Sequence, residues 1–354
     1  MYDKFYKFIN IDNYFAFIMR HCIDKDNILY VHRFESWLDQ ELIKMLFSKK
    51  IIKYYFAKKP KKNFYSKREL ILIDILNLIS LLFKWRLLSG VRTIYLNGLH
   101  FSFFIYLKLF GNKNMRVVIA NFYIHGLSKK MWFNTFLKIL FNKNKYIIIA
   151  QSEYEVQYFK SLGESLTIYY IPFCAERLNM LALTKFENNK KYIFSGGYSN
   201  RDYDLLFEAA SKVLNINFIV VASELNILKR VPKNIEVFKE VTPNEFNNLL
   251  YNSYAVIIPL KESSGSSGQM VALTAMQMSK GIIYTDFPVL SQYFDIESGI
   301  SMKGGSLVEM IDSLNKAWNN PTILDKMGKK SEKRYSMYFS KENYNNKVAS
   351  ILNI

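Results

Sequence analysis

The sequence predicts an α/β fold of two domains, each a parallel sheet covered by helices, and three observations carry that prediction. Short apolar runs rich in β-branched residues recur along the chain, segments of helical period separate them, and 354 residues exceed the usual size of one core. Half of the residues are hydrophobic, which excludes long disorder and is enough to bury a core in each domain.

In the first half the runs are ILYV (28–31), TIYL (93–96), RVVIA (116–120), YIIIA (146–150) and TIYYI (167–171). Near-continuous apolar runs of this length read as strands buried on both faces. Between them, ELILIDILNLISLLF (69–83) and MWFNTFLKILFNKNK (131–145) predict helices that mix leucines and aromatics with lysines. The first is interrupted by Asp74 and Asn77 and falls short of the roughly 20 residues that span a bilayer. Flanked by Lys67, Arg68, Lys84 and Arg86, with Trp85 at its end, it reads either as a helix lying in a membrane interface or as a core helix with solvated ends.

The polar stretch from Ala175 to Lys190 is the expected linker. Domains of residues 1–177 and 178–335 follow, with a terminal helix over 336–354 expected to pack back on the first. The second domain opens with KYIFSGGYSNRDYDLLFEAASKVL: a strand over Tyr192–Phe194, a Gly-Gly turn, and a helix starting near Asn200 to Asp202. INFIVVAS and NIEVFKEV predict strands, and TPNEFNNLLYNS a helix with Thr242 as N-cap and Glu245 as its capping partner. YAVIIPL is a strand, KESSGSSGQ a loop, MVALTAMQMSK a helix and GIIYTD a strand, after which helices run to Ile354. Such alternation predicts a doubly wound, Rossmann-like sheet.

Charge separates the halves. Residues 1–177 hold 28 basic and 13 acidic side chains, residues 178–354 hold 20 and 17. Between residues 44 and 145 the count is 21 basic against Glu69 and Asp74 alone, interleaved with aromatics, which fits an anionic membrane surface or a nucleic acid. The two cysteines, Cys22 and Cys174, have no disulfide or zinc spacing. The N-terminus lacks an apolar run ending in small residues, so a cytoplasmic location is expected.

Two loops of the second half follow strand ends and open helices, where open α/β sheets bind ligands. In the first, Gly196 and Gly197 permit close backbone approach and Arg201 supplies a cation beside a helix N-terminus, a combination suited to a diphosphate. In the second, Ser263, Ser264, Gly265, Ser266, Ser267, Gly268 and Gln269 bring hydroxyls and N–H groups to a helix start, with Lys261 nearby. Asp202 and Asp204 form a D-x-D pattern, but acids at a helix start read as caps rather than metal ligands.

The order of FSGGYSNRDYDLLFEA and IIPLKESSGSSGQMVALTAMQMSKGIIYTDFPVLSQYF resembles the C-terminal half of GT-B-fold glycosyltransferases, specifically the retaining group-1 or family-4 enzymes that use nucleotide sugars. The resemblance covers residues 190–350 and implies two Rossmann-like domains facing across a cleft. It places the donor diphosphate on Gly197 and Arg201 and a phosphate on the N–H groups of Ser267 to Gln269. Thr274 falls where the family carries a ribose-gripping glutamate. The partner glutamate position, eight residues earlier, is Ser266, with Glu262 as the alternative in a longer loop. A histidine of the N-terminal domain, His125, would stand near the donor sugar.

The resemblance also implies a metal-independent, hexosyltransferase-type enzyme without a resident cofactor, whose nucleotide-diphosphate sugar is a substrate. The basic half suggests a lipid-linked saccharide acceptor at the inner face of the cytoplasmic membrane, in capsule or O-antigen synthesis. Other readings remain: an inverting enzyme of the same fold with Glu35 or Asp39 as base, an epimerase, or a nucleic-acid-binding protein. The last is not expected, since it leaves both anion-binding loops unexplained.

Overall fold

A computed structural model describes residues 27–32, 52–56, 67–98, 100–112, 114–122, 130–141, 145–163, 166–186, 190–224, 226, 228, 230–262 and 267–353. They form two parallel sheets of six strands each. The chain divides into two compact units, one running to residue 122 with 140–147, the other taking 123–139 and 148–353.

The first sheet contains β1 (Asn27–His32), β2 (Ile52–Phe56), β3 (Val91–Asn97), β4 (Arg116–Ala120), β5 (Lys145–Ala150) and β6 (Thr167–Tyr170), in the order β2-β1-β3-β4-β5-β6. The five apolar runs read from the sequence are five of these strands. The sixth, β2, has the sequence IKYYF and pairs in parallel with β1, Leu29 opposite Lys53 and Val31 opposite Tyr55. Its lysine interrupts the apolar run, and an edge strand needs only one sheet partner, which is why pattern alone does not reveal it. At the sheet centre Tyr30 and Tyr95 stack 5.3 Å apart.

The segment expected as an interfacial or core helix is helical over Lys67–Leu82 and packs on helix Phe101–Phe110. Its inward side carries Asn77 and Leu81, both buried. Ile75, Leu76, Ile79, Leu82 and the following Phe83 are exposed instead. A core helix buries its apolar stripe, whereas residues 75–83 leave theirs exposed.

The second sheet contains β7 (Ile193–Gly196), β8 (Phe218–Ala222), β9 (Ile235–Lys239), β10 (Ala255–Ile258), β11 (Gly281–Thr285) and β12 (Ile300–Met302), in the order β12-β11-β10-β7-β8-β9. From β7 the chain winds outward through β8 to β9, then returns to the other side of β7 for β10 and winds outward again. The neighbours β7 and β10, with Ile193 opposite Ala255, therefore flank the topological switch point. Ile193, Phe218, Val220, Ala255, Ile257 and Ile283 form the core with Leu206, Leu314 and Leu324 of the covering helices. The three-residue β12 lies within the stretch expected to be helical, because a run so short carries no period of its own.

Helix Pro243–Tyr251 starts as expected. Thr242 accepts from the Glu245 N–H, and the Glu245 carboxylate accepts from the Thr242 hydroxyl and from the Thr242 N–H, both at 2.7 Å; the hydroxyl first and the N–H second hold that carboxyl below its usual range. The segment expected as a linker is bound rather than free: Tyr335 Oη donates to Ala175 O at 2.9 Å, and the Gln277 amide accepts from Leu178 N at 2.7 Å and donates to Glu176 O at 3.1 Å.

Lys280 follows helix Gln269–Gln277, donates to Ser253 O at 2.7 Å and stands 5.6 Å from the Tyr251 ring centre. Burial pushes its pKa down to about 8 from 10.5. Between those values the unfolded chain holds the proton that the folded chain has released, so this group's contribution to stability grows as pH rises through the window. Measured by urea unfolding at pH about 7.5 and about 9.5, the wild type should gain stability relative to Lys280→Met at the higher pH. Parallel behaviour of the two proteins would show that Lys280 titrates normally.

Candidate functional site

At the C-terminal end of β7 and β10, two loops diverge from the switch point and meet again. Gly196 closes β7, where a Cβ would come within 2.5 Å of the Phe246 ring. Gly197 follows with φ +117°, and a Cβ there would lie 2.5 Å from Arg201 Nη2. Asn200 takes the left-handed conformation at φ +56°, which asparagine tolerates better than most residues. These three positions fold residues 196–201 back on themselves.

Arg201 fills the centre of that turn. Its Nε donates to Gly196 O and its Nη1 to Ser199 O, both at 2.9 Å, and the residue is 7 % exposed. Burial lowers its pKa while the neighbouring Tyr203 opposes that shift, and a guanidinium remains charged regardless. Two of its nitrogens thus shape the loop. Among the described residues no carboxylate lies within ion-pair distance of it, so the floor of the loop carries a buried positive charge.

The loops are joined residue by residue. Leu260 bridges Arg201 in antiparallel fashion, and Asp202 N donates to Pro259 O at 3.1 Å. Asn200 Nδ2 donates to Glu262 O at 2.8 Å while Glu262 N donates to Asn200 Oδ1 at 3.1 Å. Lys261 N donates to Asn200 O at 3.2 Å. Leu260 N is held by Thr285 Oγ1 at 2.9 Å, tying the junction to the end of β11. Beyond residues 263–266, Ser267 is buried with its Oγ 3.2 Å from Ser199 Oγ.

Gly268 caps helix Gln269–Gln277 at φ +86°, with Ile258 and Leu290 close to where a Cβ would stand. The first N–H groups of a helix have no intrahelical acceptor and carry its partial positive charge. Ser267, whose hydroxyl meets that of Ser199, directly precedes the Gly268 cap of this helix. The Gln269 amide points inward and donates to Tyr293 Oη at 3.2 Å, which in turn donates to Phe173 O at 3.1 Å.

Of the residues singled out in the sequence, Gly196, Gly197, Arg201, Lys261, Glu262, Ser267, Gly268 and Gln269 belong to this junction, and Thr274 lies buried one turn into its helix. Lys261 and Glu262 are exposed, Lys261 pairing with Asp204 at 3.1 Å. His125, Ser266, Glu35 and Asp39 lie outside the described residues. Asp202 caps its helix by accepting from Leu205 N at 3.2 Å. Among the described residues no three His, Cys, Asp or Glu side chains are grouped as a metal site.

Ser199, Thr285 and Tyr293, and Asn200 beyond its place at a helix start, join the junction without having been singled out in the sequence. The Asn after a Gly-Gly turn carries a readable signal for a left-handed position. Thr285 and Tyr293 carry none, because their partners are distant in the chain. Chemically, the junction offers hydroxyls, a helix N-terminus and a buried cation, which together suit a phosphate-bearing anion.

No family model matches the chain, and no curated protein does. Solved structures do. Sucrose-phosphate synthase from Thermosynechococcus elongatus superposes with a TM-score of 0.71 at 11 % identity, covering 93 % of this chain and 98 % of that one. A glycosyltransferase from Rickettsia africae gives 0.67 at 14 % identity over 93 % and 98 %. Anabaena HepE, in complex with UDP and glucose, gives 0.64 at 11 % identity over 93 % and 100 %. The chain therefore has the GT-B fold, two Rossmann-like α/β units, that the sequence predicted.

Proposed function

We propose that the protein is a glycosyltransferase that takes a sugar from a nucleotide-diphosphate donor bound at the junction of residues 196–202 and 259–269. The observation that carries this reading is the buried Arg201 guanidinium, which has no carboxylate partner among the described residues and lies beneath hydroxyls and a helix N-terminus at the switch point. A charge so placed favours a bound anion, and a diphosphate spans both loops. HepE, which shares the fold, has been crystallised with UDP-glucose.

In the transfer, the bond between sugar C1 and the diphosphate oxygen breaks with its electron pair on the diphosphate. The acceptor hydroxyl oxygen forms the new bond to C1, and its proton passes to the departing diphosphate. Negative charge grows on the leaving group, where Arg201 and the N–H groups of Ser267 to Gln269 stabilise it without a metal. Thr274 is assigned to the ribose, with Glu262 or Ser266 beside it, and His125 to the sugar. Transfer with retention is the reading adopted, and trehalose-6-phosphate synthase, studied for that stereochemistry, has the same fold at a TM-score of 0.69.

The acceptor is assigned to residues 1–177 and the donor to residues 178–335, with the terminal helix 336–354 returning to the acceptor domain. The basic charge of the first half suits a lipid-linked saccharide presented at the inner face of the cytoplasmic membrane, as in capsule or O-antigen assembly.

Thermal unfolding with UDP, GDP, TDP or CMP, with and without EDTA, tests the donor site. A ligand at 100 times its Kd stabilises by about 2.7 kcal/mol. One nucleoside diphosphate should raise the melting temperature regardless of EDTA. Absence of a shift with every nucleotide, in folded protein, would remove the reading.

A further inference from the structure

We propose that the cleft where β7, β10 and β11 begin is a further anion site, which takes a small ring-bearing phosphate ester on its lysines and aromatic walls. The proposal goes beyond the transferase reading and does not depend on it. The donor junction lies where β7 and β10 end, and this cleft lies where they start. Lys191 stands two residues before Ile193 of β7, Tyr254 directly before Ala255 of β10, and Lys280 directly before Gly281 of β11. These three strands are neighbours, so parallel pairing brings their starts together. The four residues of β7, at about 3.3 Å each, keep the two sites apart.

The cleft has a volume of about 390 Å³, and Lys185, Lys190, Lys191 and Lys280 line it with Phe186 and Tyr251. That is room for one sugar or nucleotide. Its walls are held in place. On one side, Thr184 N donates to Asn248 Oδ1 at 2.9 Å, Asn252 Nδ2 donates to Thr184 O at 2.8 Å, and Phe186 N donates to Asn252 Oδ1 at 2.8 Å. These bonds fix the backbone on either side of Lys185 against the end of helix Pro243–Tyr251. On the other, Lys191 Nζ donates to Trp318 O at 2.9 Å and stands 3.7 Å from the Tyr254 ring centre and 4.1 Å from that of Trp318.

The charge in the cleft is one-sided. None of its lining residues is acidic, and among the described residues no carboxylate pairs with any of the four lysines. Burial pushes the pKa of Lys280 down to about 8 and lowers that of Lys191, the cost of ammonium groups drawn out of water without a counter-charge. Each of these two donates one hydrogen bond to a carbonyl, and an ammonium has three to give. A phosphate would use the remaining donors and supply the missing charge. Inorganic phosphate alone would leave the rings of Phe186 and Tyr251 uncovered, whereas a sugar or a base packs against them.

The test is isothermal titration of the full chain with fructose-1,6-bisphosphate, with AMP and with pyrophosphate. Fructose-1,6-bisphosphate or AMP should bind wild type more tightly than pyrophosphate does, and the one that binds tells a sugar phosphate from a nucleotide. Lys185→Gln combined with Lys190→Gln should weaken that binding about tenfold, while both positions are exposed, so the melting temperature and the response to UDP should be kept. Arg201→Met should leave it unchanged. Tyr251→Leu should narrow the preference over pyrophosphate. Absence of binding by all three compounds would overturn the proposal, as would pyrophosphate binding as tightly as the ring compounds. Binding that survives the glutamine pair and is lost in Arg201→Met would assign the ligand to the donor junction instead. Binding at the lysines with no response to any nucleoside diphosphate would strike the transferase reading alone.

Discussion

Arg201→Ala should destabilise the protein by about 2–4 kcal/mol and abolish its response to nucleotide. The side chain holds Gly196 O and Ser199 O at 2.9 Å, and removing it leaves two carbonyls unpaired in a turn that left-handed backbone at Gly197 and Asn200 already makes demanding. Relief of the buried charge offsets part of that cost. Two further substitutions separate structure from ligand binding. Arg201→Met restores volume without charge, so it should recover part of the stability and none of the nucleotide response. Arg201→Lys keeps a charge but cannot present the planar fork that reaches both carbonyls, and should be intermediate in stability with weakened binding. Urea unfolding reports the first quantity and nucleotide titration the second. If the methionine variant still binds nucleotide, the anion is held by the hydroxyls and helix N-terminus alone and the role given to the guanidinium is wrong.

Gly328→Ala should cost a comparable amount, about 2–4 kcal/mol, by a different route. Gly328 lies in helix Pro321–Arg334, where a Cβ would stand 1.9 Å from Ser279 O and 2.6 Å from its carbonyl carbon. Both atoms are backbone, so no rotamer change relieves the clash. Alanine would recover about 1 kcal/mol of helix propensity, too little to compensate. The helix must retreat from the 279–280 turn, loosening its packing on β11 and on helix Gln269–Gln277. Since the site loops are not touched directly, the folded fraction should keep its nucleotide affinity. Gly305→Ala is the control: φ is +73° there, yet a Cβ would meet nothing within 4 Å, so its cost should be smaller. A Gly328→Ala protein as stable as wild type would show that the helix and the turn adjust to each other.

The effect of these substitutions depends on contacts the sequence does not display. The glycine doublet at 196–197 was legible as a turn, but that Arg201 closes the turn on itself follows only from a fold-back visible in three dimensions. The apolar run around Ile75 was legible as a helix with basic flanks. Which side faces water was not, because a helix rich in leucine over most of its surface has no strong polar face to fix its rotation, and the unit beneath it chose Asn77 and Leu81 for burial.

The sequence by itself determined what is local: five of the six strands of the first sheet, the capping box of Thr242 and Glu245, the helix start at Asp202, and two Gly- and Ser-rich loops at strand ends. Each rests on interactions within a few residues, so chain order suffices to encode it. Tertiary structure alone decided what depends on distant partners. Strand order made β7 and β10 neighbours and so brought loops some 60 residues apart into register, Asn200 against Glu262 and Ser199 against Ser267. It also added β2, whose pairing with β1 outweighs a weak intrinsic pattern, and held Leu260 through Thr285. A hydrogen bond between remote residues forms only once the fold has brought both ends together and, for Leu260 and Thr285, excluded water from them, and no local pattern records that condition.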